Sequence, residues 1–164
     1  MLLREKFLIV LLAMLCCYGG MEFFVLKKVI APELEKQERQ KAREDLLVYL
    51  ALSHFKKVPK KGDLSKEIIR SIDDLFGNHR YAVKHGTELL YTIGNAKVIS
   101  EACQKSPVGK LLPDDLYVHF DEKKTIGPIL RTYVGCAETY VGEVAEANII
   151  KIHRHSGKVS FMSY

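Results

Sequence analysis

The stretch SPVGKLLPDDLYVHF, Ser106 to Phe120, gathers a Gly-Lys dipeptide, an acidic pair, a tyrosine and a histidine, residue types that can hold phosphate or move protons. A phosphate loop of the Walker kind needs a first glycine five residues before the Gly-Lys pair, a Ser or Thr after the lysine, and a strand leading in. Gln104, Leu111 and a helical pattern stand at those places, so Gly109-Lys110 is not such a loop. Asp114, Asp115 and His119 could serve acid-base chemistry, but adjacent carboxylates point apart and Leu-Pro-Asp-Asp is composed like a turn or helix start. A turn is therefore expected there. His153 and His155, two apart, would share one strand face and could bind a metal with a third ligand. No third ligand is evident, and with Arg154 between them the segment reads as a solvated or nucleic-acid-facing edge.

Other reaction classes lack their parts. Gly94 and Gly109 flank helical segments, so no glycine-rich loop follows a strand as a dinucleotide or Rossmann-type methyltransferase site requires. No serine stands in a G-x-S-x-G elbow. No residue is assigned a catalytic, cofactor-binding or metal-binding role. What remains is a set that could pair with phosphates or stack on bases: Lys110, Tyr117, Arg131, Lys151, His153 and Arg154. The roles of Lys110, Tyr117 and His119 stay open.

The elements that must position these residues follow from periodicity. Residues 33 to 45 are charged on all faces and run without a turn residue into the apolar LLVYLALSHF, which predicts one long helix, exposed first and buried later. After the lysine-rich loop KKVPKK, Leu64, Ile68, Ile69, Ile72, Leu75 and Phe76 form a helical stripe, with Asp63 or Ser65 as cap and Gly77 as stop. Tyr81, Ala82, His85, Leu89 and Ile93 predict a third helix, and Asn95 caps a short fourth through Val98, Ile99 and Cys103. A fifth spans the stripe from Ile126 to Val144, with Gly135 and Gly142 on one side where another backbone could approach. NIIKIH and KVSFMSY alternate with period two around RHSGK and predict a hairpin. The expected class is α+β, mainly helical, with about five helices and a C-terminal β-hairpin.

The 164 residues suffice for one ordinary domain with a core, and the charge of +5 favours an anionic partner such as nucleic acid or a membrane surface. Cys16, Cys17, Cys103 and Cys136 show no C-x-x-C or Cys/His metal spacing, which suggests reduced, mostly buried thiols. Residues 1–28 form a hydrophobic leader ahead of a single domain over 29–164. Its apolar part, 7–26, is long enough to span a bilayer if Glu22 sits at the interface beside Lys27 and Lys28. The richer positive flank on the C-terminal side would then keep the body in the cytoplasm. No small-x-small site marks a secretory signal.

REDLLVYLALSHF, LSKEIIRSIDDLFGNHRYAVKHGTELLYTIGNAKVISEAC, SPVGKLLPDDLYVHF and IGPILRTYVGCAETYVGEVAEANIIKIHRHSGKVSFMSY resemble, in order, pieces of the methyltransferase-like family associated with DNA phosphorothioation. The likeness covers residues 43 to 164. Members of that family carry a class I methyltransferase domain with an S-adenosylmethionine loop ahead of this region, and continue past VSFMSY. This chain has neither, so the resemblance implies no catalytic residue and no cofactor here. It implies a non-catalytic accessory fragment of a DNA-modification system, binding DNA or a methyltransferase partner chain. Two alternatives stand beside it: a small membrane-anchored interaction protein, and one part of a split methyltransferase whose cofactor domain is another chain. A terminal hairpin exposing Ile152, Val159 and Phe161 on an open edge would also favour self-association.

Overall fold

The computed structural model describes residues 30–142, 144 and 146–163, which belong to two compact units, Met1–Ala42 and Arg43–Tyr164. Described residues of the first unit open helix α1, Ala31–Lys56, and every one from 31 to 42 is exposed, as charges around the whole circumference require. The second unit begins where apolar residues take over, and Leu46, Val48, Leu50 and Ala51 are buried. Its boundary at Arg43 lies inside the helix. The leader and the span at 7–26 lie outside the described residues. Among the described residues no helix is long and apolar enough to cross a membrane.

Four further helices follow, α2 Lys66–Phe76, α3 His79–Thr92, α4 Ala96–Gln104 and α5 Pro128–Val141. The side-chain oxygens of Ser65, Asn78 and Asn95 accept from the backbone N–H of Ile68, Tyr81 and Lys97, so α2, α3 and α4 each start on a cap the sequence displays. Gly77 ends α2 with a φ of 79°, a left-handed conformation that side chains resist. In α5 the two glycines part company. A Cβ on Gly135 would lie 2.7 Å from the Leu52 side chain of α1, so this glycine does permit close helix packing. Gly142 instead terminates α5 with a φ of 90° and has open space around it.

The β-structure is larger than one hairpin. Strands β1 Lys110–Leu111, β2 Asp115–His119, β3 Ile149–His153 and β4 Val159–Met162 form an antiparallel sheet in the order β1-β2-β3-β4. The expected hairpin is β3-β4, and the unforeseen strands come from the stretch read as a turn. Only Pro113 and Asp114 turn the chain, while Asp115 begins β2. Leu116, Val118, Ile150 and Ile152 face α4 and α5, packing with Ile99, Cys103, Leu130 and Val134 into one core. A second cluster joins α1, α2 and α3 through Leu46, Leu50, Ile72, Phe76 and Ala82. Ile152, expected to be exposed, is fully buried because β3 lies inside the sheet and the face that carries Ile152 packs under α4 and α5. Val159 and Phe161 are partly buried at the rim of the same core.

Cys103 and Cys136 are free, buried thiols, and desolvation pushes both up to about 11 from the usual 9.0. They stay protonated at neutral pH and are poor nucleophiles.

Candidate nucleic-acid interface

Strand geometry sends alternate side chains to opposite faces, and cross-strand partners share a face. The register aligns Lys110 with Tyr117, Tyr117 with Lys151, and Lys151 with Ser160, so one row on the side away from the helices reads Lys-Tyr-Lys-Ser. The next row pairs Asp115 with His153, and His119 lies opposite Ile149 on the other flank. Four of the six residues nominated from sequence, Lys110, Tyr117, Lys151 and His153, thus meet on this outer face.

Asp115 is the hub of the face. Its Oδ2 lies 3.1 Å from Nζ of Lys151, and its Oδ1 lies 2.8 Å from Nδ1 of His153, out of line for a hydrogen bond. Nε2 of His153 in turn lies 3.2 Å from Oγ of Ser160. Lys151 sits 5.3 Å from the centroid of the Tyr117 ring. Hydrogen bonding to Tyr117, and then to Asp115, raises the lysine above its ordinary value, so it is a fixed cation across the neutral range. The face therefore offers two ammonium groups, a tyrosine and an imidazole against one carboxylate, a small positive surplus on an aromatic-bearing sheet.

Arg131 and Arg154 do not join it. Arg131 lies on α5, in the helix layer, and pairs with Asp45 of α1. Arg154, expected on a solvated edge, is only 9% exposed. It follows the last residue of β3, so its side chain turns inward where that of His153 turns outward. Its Nε and Nη2 donate to Oγ of Ser100 at 3.2 and 2.9 Å, and Nη1 donates to the carbonyls of Leu112 and Pro113. Its backbone N–H donates to the carbonyl of Asp114 at 2.9 Å. Arg154 is the clasp of the β1-β2 turn. His155 falls in the turn after β3, exposed, and does not share the strand face of His153.

The turn explains the Gly-Lys pair as well. Gly109 has a φ of 95°, and a Cβ there would stand 2.5 Å from the carbonyl oxygen of Tyr117. The glycine lets β1 reach β2 and so delivers Lys110 to its row. His119 ends β2 and accepts from the backbone N–H of Asp121 at 3.4 Å, capping the short turn Phe120–Lys124.

Sequence reasoning weighed Asp115 for acid-base chemistry and set it aside as a turn residue, and it missed Ser160. The signal for Asp115 was present, because Asp-Leu-Tyr-Val-His alternates polar and apolar side chains as a half-buried strand does. Ser160 carried no signal of its own, since its place beside His153 depends on the β3-β4 register.

Fold and site together define a small α+β module with a polar, weakly basic sheet face. No family model, no curated protein and no solved structure matches the chain.

Proposed function

We propose that the chain is a non-catalytic accessory module that binds DNA through the outer face of its sheet, in the setting of phosphorothioate DNA modification to which its sequence resemblance points. Such a role places the module in the cytoplasm, with its DNA. The supporting observation is the convergence of Lys110, Tyr117 and Lys151 in one cross-strand row, with His153 in the next. Two ammonium groups can pair with successive phosphates, and an aromatic ring on a sheet offers a surface for an unstacked base. Asp115 limits the net charge, so binding belongs in the weak, non-specific range, a Kd on the order of 10⁻⁴ to 10⁻⁶ M at physiological salt.

The test is a fluorescence titration of labelled duplex and single-stranded DNA at low and at physiological salt. Two phosphate contacts give a slope of log K against log salt of about −2, and Lys110→Ala reduces its magnitude by about 1. Absent or salt-insensitive binding removes the DNA reading. A parallel titration with S-adenosylmethionine addresses catalysis separately, since binding of that cofactor would overturn the non-catalytic assignment.

A further inference from the structure

The two edges of the sheet are built differently. β1 is two residues long, carries an exposed lysine and runs into Pro113, all features that discourage a further strand. β4 has none of these guards. It reads Val-Ser-Phe-Met, has no proline or charge within it, and is the outermost strand among the described residues. Beside it the surface stays apolar: an open groove of about 730 Å³ runs from Val159 past Tyr91, Tyr140 and Val141. Tyr91 and Tyr140 are 76% and 88% exposed, unusual for aromatic residues with no role at a contact.

Hydrogen-bond direction along β4 shows what would fit. The backbone N–H of His153 donates to the carbonyl of Lys158, and that of Asn148 donates to the carbonyl of Met162. Lys158, Ser160 and Met162 therefore turn their backbone groups toward β3. By the alternation of an antiparallel ladder, Val159 and Phe161 turn theirs outward. A second strand with the same outward spacing, laid antiparallel, places Val159 against Phe161 and Phe161 against Val159, each pair exchanging both hydrogen bonds.

We propose that the partner of this edge is β4 of a second copy of the chain, related by a twofold axis through Ser160. A twofold contact requires every residue to tolerate its image, and this one does. Ser160 meets Ser160, Lys158 meets Met162, and on the helix side Val159 meets Phe161, so no like charges oppose each other. The union joins two four-stranded sheets into one. The outer row then continues from Lys110, Tyr117, Lys151 and Ser160 into the same residues of the copy in reverse order. The pairing stands on edge geometry alone and does not depend on DNA binding.

The experiment is a charge swap at the axis, read by light scattering on the full chain. Ser160 lies on the outer face, so Ser160→Lys and Ser160→Glu leave the core intact, which an unfolding midpoint equal to that of the wild type at a concentration where the wild type is monomeric verifies. The wild-type chain is expected to dimerise with rising concentration. Each variant alone, with like charges directly opposed, is expected to remain monomeric where the wild type is dimeric. An equimolar mixture of the two is expected to restore the dimer, which a folding defect could not do. A monomeric wild type overturns the proposal. So do single variants that associate like the wild type, and so does a mixture that stays monomeric.

Discussion

β2 and β3 present two faces made from alternate residues of the same short segments, and the faces obey different physics. On the inner side Leu116, Val118, Ile150 and Ile152 are at most 1% exposed and packed under α4 and α5. On the outer side Asp115, Tyr117, Lys151 and His153 keep part of their surface in water and are held by directional contacts centred on one carboxylate. The inner face tolerates no loss of volume, because its side chains fill a closed space. The outer face can lose a side chain without leaving a cavity. His153 and Arg154 mark the divide, adjacent in sequence with one side chain in the outer network and the other beneath the β1-β2 turn.

The comparison is broken most directly by truncating neighbours on β3. Ile150→Ala should lower stability by about 2–5 kcal/mol, through lost burial and the cavity left behind. Lys151→Ala should leave the denaturant midpoint almost unchanged while weakening DNA binding. Equal losses of stability in urea unfolding would show that the faces do not divide their work. A smaller effect, about 2–3 kcal/mol, is expected from Arg154→Met, which keeps the apolar stem but leaves carbonyls of the β1-β2 turn and the Ser100 hydroxyl without their donor. Its second signature is faster amide exchange in β1 and β2 than in β3 and β4. Uniform exchange across the sheet would deny Arg154 its clasping role.

The smallest effect per residue is the pH response of the buried thiols on α4 and α5. Burial raises Cys103 and Cys136 from 9.0 to about 11, so between those values the unfolded chain releases protons that the folded chain retains. Stability is then fully present below pH 9 and falls as pH rises toward 11, by on the order of 2 kcal/mol per thiol. Thermal melts from neutral to alkaline pH should show this decline, and Cys103→Ala should flatten it. Lys151 on the outer face is raised as well, and its share is lost only above the ordinary lysine value. A decline beginning below pH 8 would point to groups other than these.

Much of the architecture was legible in advance. The helices announce themselves through stripes of apolar residues and through caps at Ser65, Asn78 and Asn95, which act within a few residues of where they stand. The β3-β4 hairpin was legible for the same reason, its two strands being joined by a short turn containing Gly157 with a φ of 69°. β1 and β2 were not. Leu-Pro-Asp-Asp does turn the chain, but strand formation by Lys110–Leu111 and Asp115–His119 depends on β3, more than thirty residues later. Of the candidate site, residue types pointed to Lys110, Tyr117, Lys151 and His153. The same criterion also selected Arg131 and Arg154, because an arginine that pairs with phosphate and one that clasps a turn look alike in sequence.

The sequence by itself determined the class of fold, the run of capped helices, the exposed charged start of α1 and the final hairpin, all of which follow from contacts made close along the chain. Only the tertiary structure decided which polar residues share a surface. Register across four strands gathers Lys110, Tyr117, Asp115, Lys151, His153 and Ser160 on one face, and a side chain's direction reverses with each residue of a strand. A shift of one residue would have placed Arg154 outside and His153 in the core, and that choice is made by the burial of Ile150 and Ile152.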